Sequence, residues 1–197
     1  MNAKRLRASI VGFAVEFIRI IVLSLAIILP VRYFLVQPFY VKGASMEPNF
    51  YDHEYLIINE IGYRFREPQR GDIIVLRFPK DPKQFFIKRI VGLPGETVFF
   101  SGGIVRIQNA AHPKPVAISE PYLSERLRVS GDSTRHLEAN EYYVLGDNRA
   151  NSYDSEEFGP VDRKLIVGRV WIRGWPFSNI TVFHTPQYPE LQQQQTP

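Results

Sequence analysis

The sequence predicts a mainly β protein with antiparallel pairing, preceded by one transmembrane α-helix. Three observations predict it. One apolar run, Ala8–Val31, is long enough to cross a bilayer. From Gln37-Pro38 onward the texture changes to short β-rich runs broken by glycine, proline and acidic residues. Beyond the apolar run, no stretch repeats its apolar residues with the period of an amphipathic helix. A chain of 197 residues holds one ordinary domain plus such a segment.

Residues 1–7 open the chain with Lys4, Arg5 and Arg7 and are expected to stay in the cytoplasm. The span follows at 8–31. As a helix its 24 residues extend about 36 Å, against a hydrocarbon core of about 30 Å. Glu16 and Arg19 interrupt it, but the i, i+3 spacing puts them on one face, where they can pair. Pro30 is expected to end the span, and Tyr33, Phe34, Phe39 and Tyr40 suit an interfacial aromatic belt. A cleavable signal peptide is the competing reading of this run. The residues after it, Arg32-Tyr33-Phe34-Leu35, offer no small-x-small cleavage site. A buried core helix is the other alternative, and the basic start and apolar length favour the span.

A β domain is expected over 37–185, on the outer side of the membrane. Its strands read as Phe39–Lys42, Tyr55–Asn59, Asp72–Phe78, Phe85–Val91, Thr97–Phe100, Ile104–Ile107, Glu141–Leu145 and Leu165–Trp171. Turns are marked by Pro68-Gln69-Arg70-Gly71-Asp72, Leu93-Pro94-Gly95-Glu96 and Ser101-Gly102-Gly103. Trp171, Trp175 and Phe177 read first as core residues, with contact to the membrane as the alternative. Residues 186–197, with Gln192-Gln193-Gln194-Gln195 between prolines, read as a disordered tail.

Composition narrows the chemistry. The formal charge of +4 lies wholly within residues 1–36, where Lys4, Arg5, Arg7, Arg19 and Arg32 face Glu16. The remainder is balanced, so the basic pI is a topology signal and argues against nucleic acid as a partner. With no cysteine, disulfides, thiolate catalysis and Cys-ligated zinc are excluded. His53, His112, His136 and His184 are dispersed without metal-ligand spacing, and each is expected to be a surface or satisfied histidine.

Ser45, in Gly43-Ala44-Ser45-Met46-Glu47-Pro48, lies just past the span. A serine becomes a nucleophile only when a base takes its proton, and a lysine does this if burial keeps it neutral. Lys88 fits that role. In Gln84-Phe85-Phe86-Ile87-Lys88-Arg89-Ile90 the alternation of a strand puts Phe86, Lys88 and Ile90 on one face. That face desolvates the amine and lowers its pKa, while Arg89 points the other way and stays charged. A third segment, Gly146-Asp147-Asn148-Arg149-Ala150-Asn151-Ser152-Tyr153-Asp154-Ser155, has calcium-loop composition. However, Arg149, Ser152 and Phe158 stand where an EF-hand needs an oxygen ligand, glycine and glutamate. It reads instead as a polar shell that orients the base.

Taken in order, four blocks resemble the type I signal peptidases, membrane-bound enzymes that remove signal peptides from exported proteins. They are the Ser45 block, Arg70-Gly71-Asp72-Ile73-Ile74-Val75, Lys88 through Glu96, and the 146–155 block continuing to Gly159-Pro160-Val161. The similarity runs from the span to about Phe177. It implies an antiparallel sheet folded as a partly open barrel, with Ser45 as nucleophile and Lys88 as general base. It further implies a Ser152 hydroxyl bonded to the lysine, an Asp147 bridged to Arg89, and an Asp154 supporting the site behind Ser152. The backbone N–H of Ser45 would donate to the oxyanion. Signal peptides of translocated preproteins would lie extended beside residues 39–44 and 84–88 and be cut after small-x-small residues. The implied setting is the cell membrane, crossed once, with the catalytic domain outside, and no cofactor or metal is implied.

Two departures leave questions open. Gly43 stands where some members place a serine that supplies a second oxyanion donor, so a backbone amide or water is the alternative. Glu156 stands where many carry an arginine, leaving Arg149 as the candidate partner of Asp154. Two rival readings are a self-cleaving Ser/Lys repressor-type protease and a catalytically inert membrane-anchored peptide-binding relative. The first carries an upstream helix-turn-helix where this chain has an apolar span. The second would lack a member of the dyad, and both Ser45 and Lys88 are present.

Overall fold

The computed structural model describes residues 3–34, 36–123 and 132–192. Helix α1 (Ala3–Phe34) comes first, and within it Val11–Leu29 has a mean hydropathy of 2.4, none of it buried against the rest of the chain. It is long and apolar enough to cross a membrane. Glu16 and Arg19 pair at 3.6 Å. The helix does not stop at Pro30. Proline removes one N–H and with it one backbone hydrogen bond, and the helical path runs on to Phe34.

Twelve strands follow among the described residues. The larger sheet contains β1 (Val36–Tyr40), β2 (Tyr55–Asn59), β3 (Ile73–Phe78), β4 (Asp81–Gly92), β9 (Glu141–Leu145), β10 (Val161–Asp162), β11 (Ile166–Trp175) and β12 (Thr181–Val182). Its order is β1-β2-β11-β3-β4-β9-β10, with β12 added to β11. The smaller sheet, β7-β6-β5-β8, is built from β5 (Thr97–Ser101), β6 (Ile104–Gln108), β7 (Val116–Ala117) and β8 (Asp132–His136). All pairings are antiparallel. The larger sheet ends at β1 and β10 without joining them, so it is open and forms no closed barrel.

Strand β3, Ile-Ile-Val-Leu-Arg-Phe, shows why a continuous apolar run is a central strand. Ile73 and Val75 enter one core with Val41, Met46, Phe50 and Leu56. Ile74 and Leu76, pointing oppositely, enter another with Ile90, Tyr142 and Val144. A third core, with Val98, Ile107, Leu137 and Tyr143, joins the two sheets. Strand β1 is an edge strand paired only with β2, which is why it runs through Pro38, whose missing N–H costs little there.

Three sequence expectations need correcting. Residues 186–192 are not a disordered tail: Tyr188 is 7% exposed and sits in the third core, with Leu191 packed against it. Residues 193–197 lie outside the described residues. Trp171, Trp175 and Phe177 are exposed rather than core: register shifts of β11 fall between Val170 and Ile172 and between Arg173 and Trp175, and Phe177 packs edge-on against Trp175 at 4.8 Å. Strand β8, Asp-Ser-Thr-Arg-His, carries no apolar pattern and pairs along the edge of β5, so only the backbone register defines it.

Candidate active site

Ser45 sits in the turn that follows β1. Met46 (1% exposed) and Phe50 (0%) anchor this turn in the core, each burial contributing about 2 kcal/mol. The Phe50 N–H donates to the Met46 carbonyl at 3.0 Å. Asn148 fastens the turn from the other side. Its backbone N–H donates to the Ser45 carbonyl at 3.0 Å, and its side-chain amide donates to the Ala44 carbonyl at 3.0 Å. The Ser45 N–H finds no backbone acceptor among the described residues.

Lys88 reaches this serine from β4. Its Nζ donates to Ser45 Oγ at 2.8 Å. The strand alternation places it as the sequence predicts: Phe86 and Ile90 share a core on that face, and Nζ stands 5.4 Å from the centre of the Phe86 ring. Lys88 is 3% exposed. Burial pushes its pKa down to about 8, against the opposing pull of the Asp154, Asp147 and Glu157 carboxylates. An amine that releases its proton near neutrality is matched to a general base.

Arg89, on the opposite face, forms a fork onto Asp147 with N···O distances of 2.8 and 2.7 Å. A further N–H donates to the Gly71 carbonyl at 3.1 Å, and the guanidinium lies 3.7 Å from the centre of the Tyr122 ring. Asp147 Oδ2 also accepts from the Asn49 amide at 2.8 Å. One fully buried carboxylate therefore ties the lysine strand to the nucleophile turn.

Asp154 acts through the backbone. It caps the short helix α2 of the 146 segment (Ser155–Phe158), with Oδ1 accepting from Glu156 N at 3.2 Å, and its Oδ2 accepts from Gly146 N at 2.9 Å. Arg149 is not its partner. The Arg149 guanidinium pairs with Glu120 at 2.5 Å, both side chains almost fully buried, and its Nε donates to the Gly146 carbonyl at 2.9 Å. The fork follows the nearest buried carboxylate. Glu156 brings no cation either, and burial, together with the Asp154 and Glu157 carboxylates, pushes its pKa up. Ser152 lies against Gly146 and the Ser45 carbonyl, but its buried Oγ makes no hydrogen bond. The expected bond from Ser152 to Lys88 is therefore absent.

A cleft of about 420 Å³ leads to the dyad, with Phe39–Lys42 on one wall, Gln84–Lys88 on the other, and Ser45 and Tyr153 at the end. Among the described residues, both walls are free strand edges. Strand β1 pairs only with β2, and β9 meets β4 only from Arg89 onward. An extended peptide entering here finds unpaired backbone groups on two sides. Sequence reasoning missed Asn49, Asn148, Gly146 and Glu120. Asn148 and Gly146 lay inside a segment already singled out, whereas Glu120 sits in an unpatterned loop that carries no signal.

The family described as "Signal peptidase, peptidase S26" matches residues 14–175. The chain is 39% identical over 173 residues to "Signal peptidase I" of Leptolyngbya laminosa, covering 84% of this chain and 81% of that protein. It is 30% identical over 183 residues to "Signal peptidase IB" of Staphylococcus aureus strain MRSA252, covering 87% and 95%. A crystal structure of a signal peptidase I from Enterococcus faecalis V583 is 32% identical, with a TM-score of 0.45, and covers 53% of this chain and 97% of that one. With a family match over most of its length and relatives at this identity, the chain belongs to the S26 signal peptidase family.

Proposed function

We propose that the chain is a membrane-held serine endopeptidase that cuts N-terminal signal peptides from exported preproteins, using Ser45 as nucleophile and Lys88 as base. The observation that carries this reading is the buried Lys88 amine 2.8 Å from the Ser45 hydroxyl oxygen, at the end of a cleft with two free strand edges. The signal peptide lies extended between residues 39–42 and 84–88, and its small residues before the cut fit among Val41, Leu56, Val75 and Ile87.

The Ser45 proton passes to the neutral Lys88 amine as Oγ bonds to the scissile carbonyl carbon. The Ser45 N–H donates to the resulting oxyanion, an interaction worth about 3 kcal/mol per donor. The Gly43 N–H is committed to Asp52 Oδ1 at 3.0 Å, so the second donor is a different group. As the C–N bond breaks, the Lys88 ammonium gives its proton to the departing amine, the new N-terminus of the mature protein. The same amine then takes a proton from water as its oxygen attacks the acyl ester, and passes that proton to Ser45 Oγ as the ester C–O bond breaks and the carboxylate product leaves. The Ser152 hydroxyl, unpaired at rest, turns to hold the amine's direction.

Lys4, Arg5 and Arg7 keep the N-terminus in the cytoplasm and put the catalytic domain on the outer side. Holding enzyme and anchored preprotein on one surface raises their effective concentration. The test is incubation of detergent-solubilised full-length chain with a preprotein bearing a small-x-small site, and mapping of the new N-terminus by mass spectrometry. Cleavage after the small residue is expected, and it is lost in Ser45→Ala. It is also lost in Lys88→Arg, because guanidinium does not give up its proton. Cleavage by Ser45→Ala overturns the mechanism, and binding without a new N-terminus points to an inert relative.

A further inference from the structure

The S26 family match ends at residue 175, yet the chain does not leave the domain there. Beyond β12 it runs across the back of the site as a strap. Phe183 packs on Phe50 with ring centres 4.6 Å apart. The Thr185 hydroxyl donates to Asp72 Oδ1 at 2.5 Å and accepts from Arg169 at 3.1 Å. Further on, Glu190 accepts from the backbone N–H of Ser119 at 2.5 Å. Between these anchors Pro186 and Tyr188 meet Gly71. A Cβ built on Gly71, whose φ is +83°, would lie 2.5 Å from Pro186 Cγ and 2.7 Å from Tyr188 Oη. The strap thus fills the space in which a side chain would otherwise stand.

Gly71 matters because its backbone touches the site twice. Its carbonyl accepts from Arg89, and its N–H donates to the Ile90 carbonyl at 2.7 Å, which pins β4 two residues past Lys88. Arg89 in turn holds Asp147, and Asp147 holds Asn49 of the nucleophile turn. Tyr188 is 7% exposed, and the Arg70 guanidinium lies 6.0 Å from its ring centre. Its hydroxyl makes no hydrogen bond of good geometry but faces Tyr122, and the ring's bulk is what fills the space beside Gly71.

We infer that Tyr188 is a positioning residue for the peptidase reaction, carried on a strap of residues 183–191 that presses on Gly71 and thereby fixes Arg89, Asp147 and the Lys88 strand. It touches neither substrate nor the reacting atoms. Its effect passes through Gly71, and the inference rests on the dyad reading given above. Without the ring, water enters beside Arg89, the β4 edge gains freedom, and the Lys88 amine becomes better hydrated. Hydration favours the ammonium form, so the base is lost at neutral pH as well as misplaced.

The test compares full-length wild type, Tyr188→Ala, Tyr188→Phe and the double variant Thr185→Val/Glu190→Ala in preprotein cleavage, with Ser45→Ala as control. Tyr188→Ala is expected to lower kcat by about ten- to a hundredfold, with a smaller rise in KM from the loosened β4 wall of the cleft. The acidic limb of its kcat/KM profile moves to higher pH. Tyr188→Phe, which keeps the ring, restores most of the rate and the limb. The double variant, which loosens both anchors outside the core, shows the same shift in smaller measure and decides the matter if Tyr188→Ala does not fold. A lowered melting temperature with kcat and the acidic limb unmoved, in Tyr188→Ala or in the double variant, overturns the inference. So does a Tyr188→Phe as impaired as Tyr188→Ala. Activity in Ser45→Ala instead condemns the dyad reading.

Discussion

The hydroxyl of Ser152 stands where a side chain on Gly146 would grow: a Cβ there would lie 2.1 Å from Ser152 Oγ and 2.5 Å from the backbone oxygen of Ser45. No real Cβ contact is that short, and one of the two obstacles is main chain held by Asn148. Gly146→Ala must therefore displace the nucleophile turn or the 146 segment. A shift of about 1 Å at the dyad costs about a hundredfold in rate. The expected outcome in a preprotein cleavage assay is a loss of that order. Adding Ser152→Gly does not restore it, because the Ser45 carbonyl remains in the way. Rescue by the double variant would mean that the hydroxyl is the sole obstacle.

The pairing of Arg149 with Glu120 carries a second expectation. Both side chains are almost fully buried, and Arg149 also holds the Gly146 carbonyl. Removing one partner of a buried pair leaves the other as an uncompensated charge, at a cost of about 3–5 kcal/mol. Glu120→Leu should lower stability by that amount in urea denaturation. Glu120→Leu/Arg149→Met should recover most of it, since an apolar pair of similar volume removes both charges together. Equal losses in the single and double variants would show that the ion pair is not what the fold depends on.

Ser152 separates stability from rate. Its buried hydroxyl has no partner, so Ser152→Ala removes an unsatisfied group and should leave the midpoint of unfolding unchanged or slightly raised. If the hydroxyl turns to the Lys88 amine during turnover, the same variant lowers kcat by about tenfold or more while KM stays level. An unchanged kcat removes Ser152 from the reaction.

What the sequence disclosed follows from what is local. The β3 run and the alternation that buries Lys88 depend on neighbours within a few residues, and each stands where the sequence put it. The Arg89–Asp147 bridge was legible only through the family resemblance, because 58 residues separate its ends. The Arg149–Glu120 pair lay beyond both routes, since Glu120 sits in a loop with no periodicity. The strap was misread because glutamine and proline around 186–197 have the composition of a tail. Composition does not register that Tyr188 and Leu191 pack into a core. The outward tryptophans of β11 were misread for a related reason, since aromatic character says nothing about which face of a strand is covered.

Lys88 ties activity to stability, and the sign can be worked out. Its native pKa is about 8, against an ordinary value of 10.5, so between these limits the unfolded chain binds a proton that the native protein has released. Stability attributable to this residue therefore rises with pH across that window. Below pH 8 the full cost of burying the amine is present, about 3 kcal/mol. Lys88→Met keeps the volume and removes the charge. It should be more stable than wild type by up to that amount at pH 7, with the gap closing as the pH rises from 8 to 10.5. The wild-type kcat/KM should rise with pH through about 8, while Lys88→Met stays inactive throughout. Urea denaturation of both proteins across this range gives the gap directly. A gap that is independent of pH, or a variant less stable than wild type at pH 7, would mean that the Lys88 amine is not held in the neutral form that its place beside Ser45 requires.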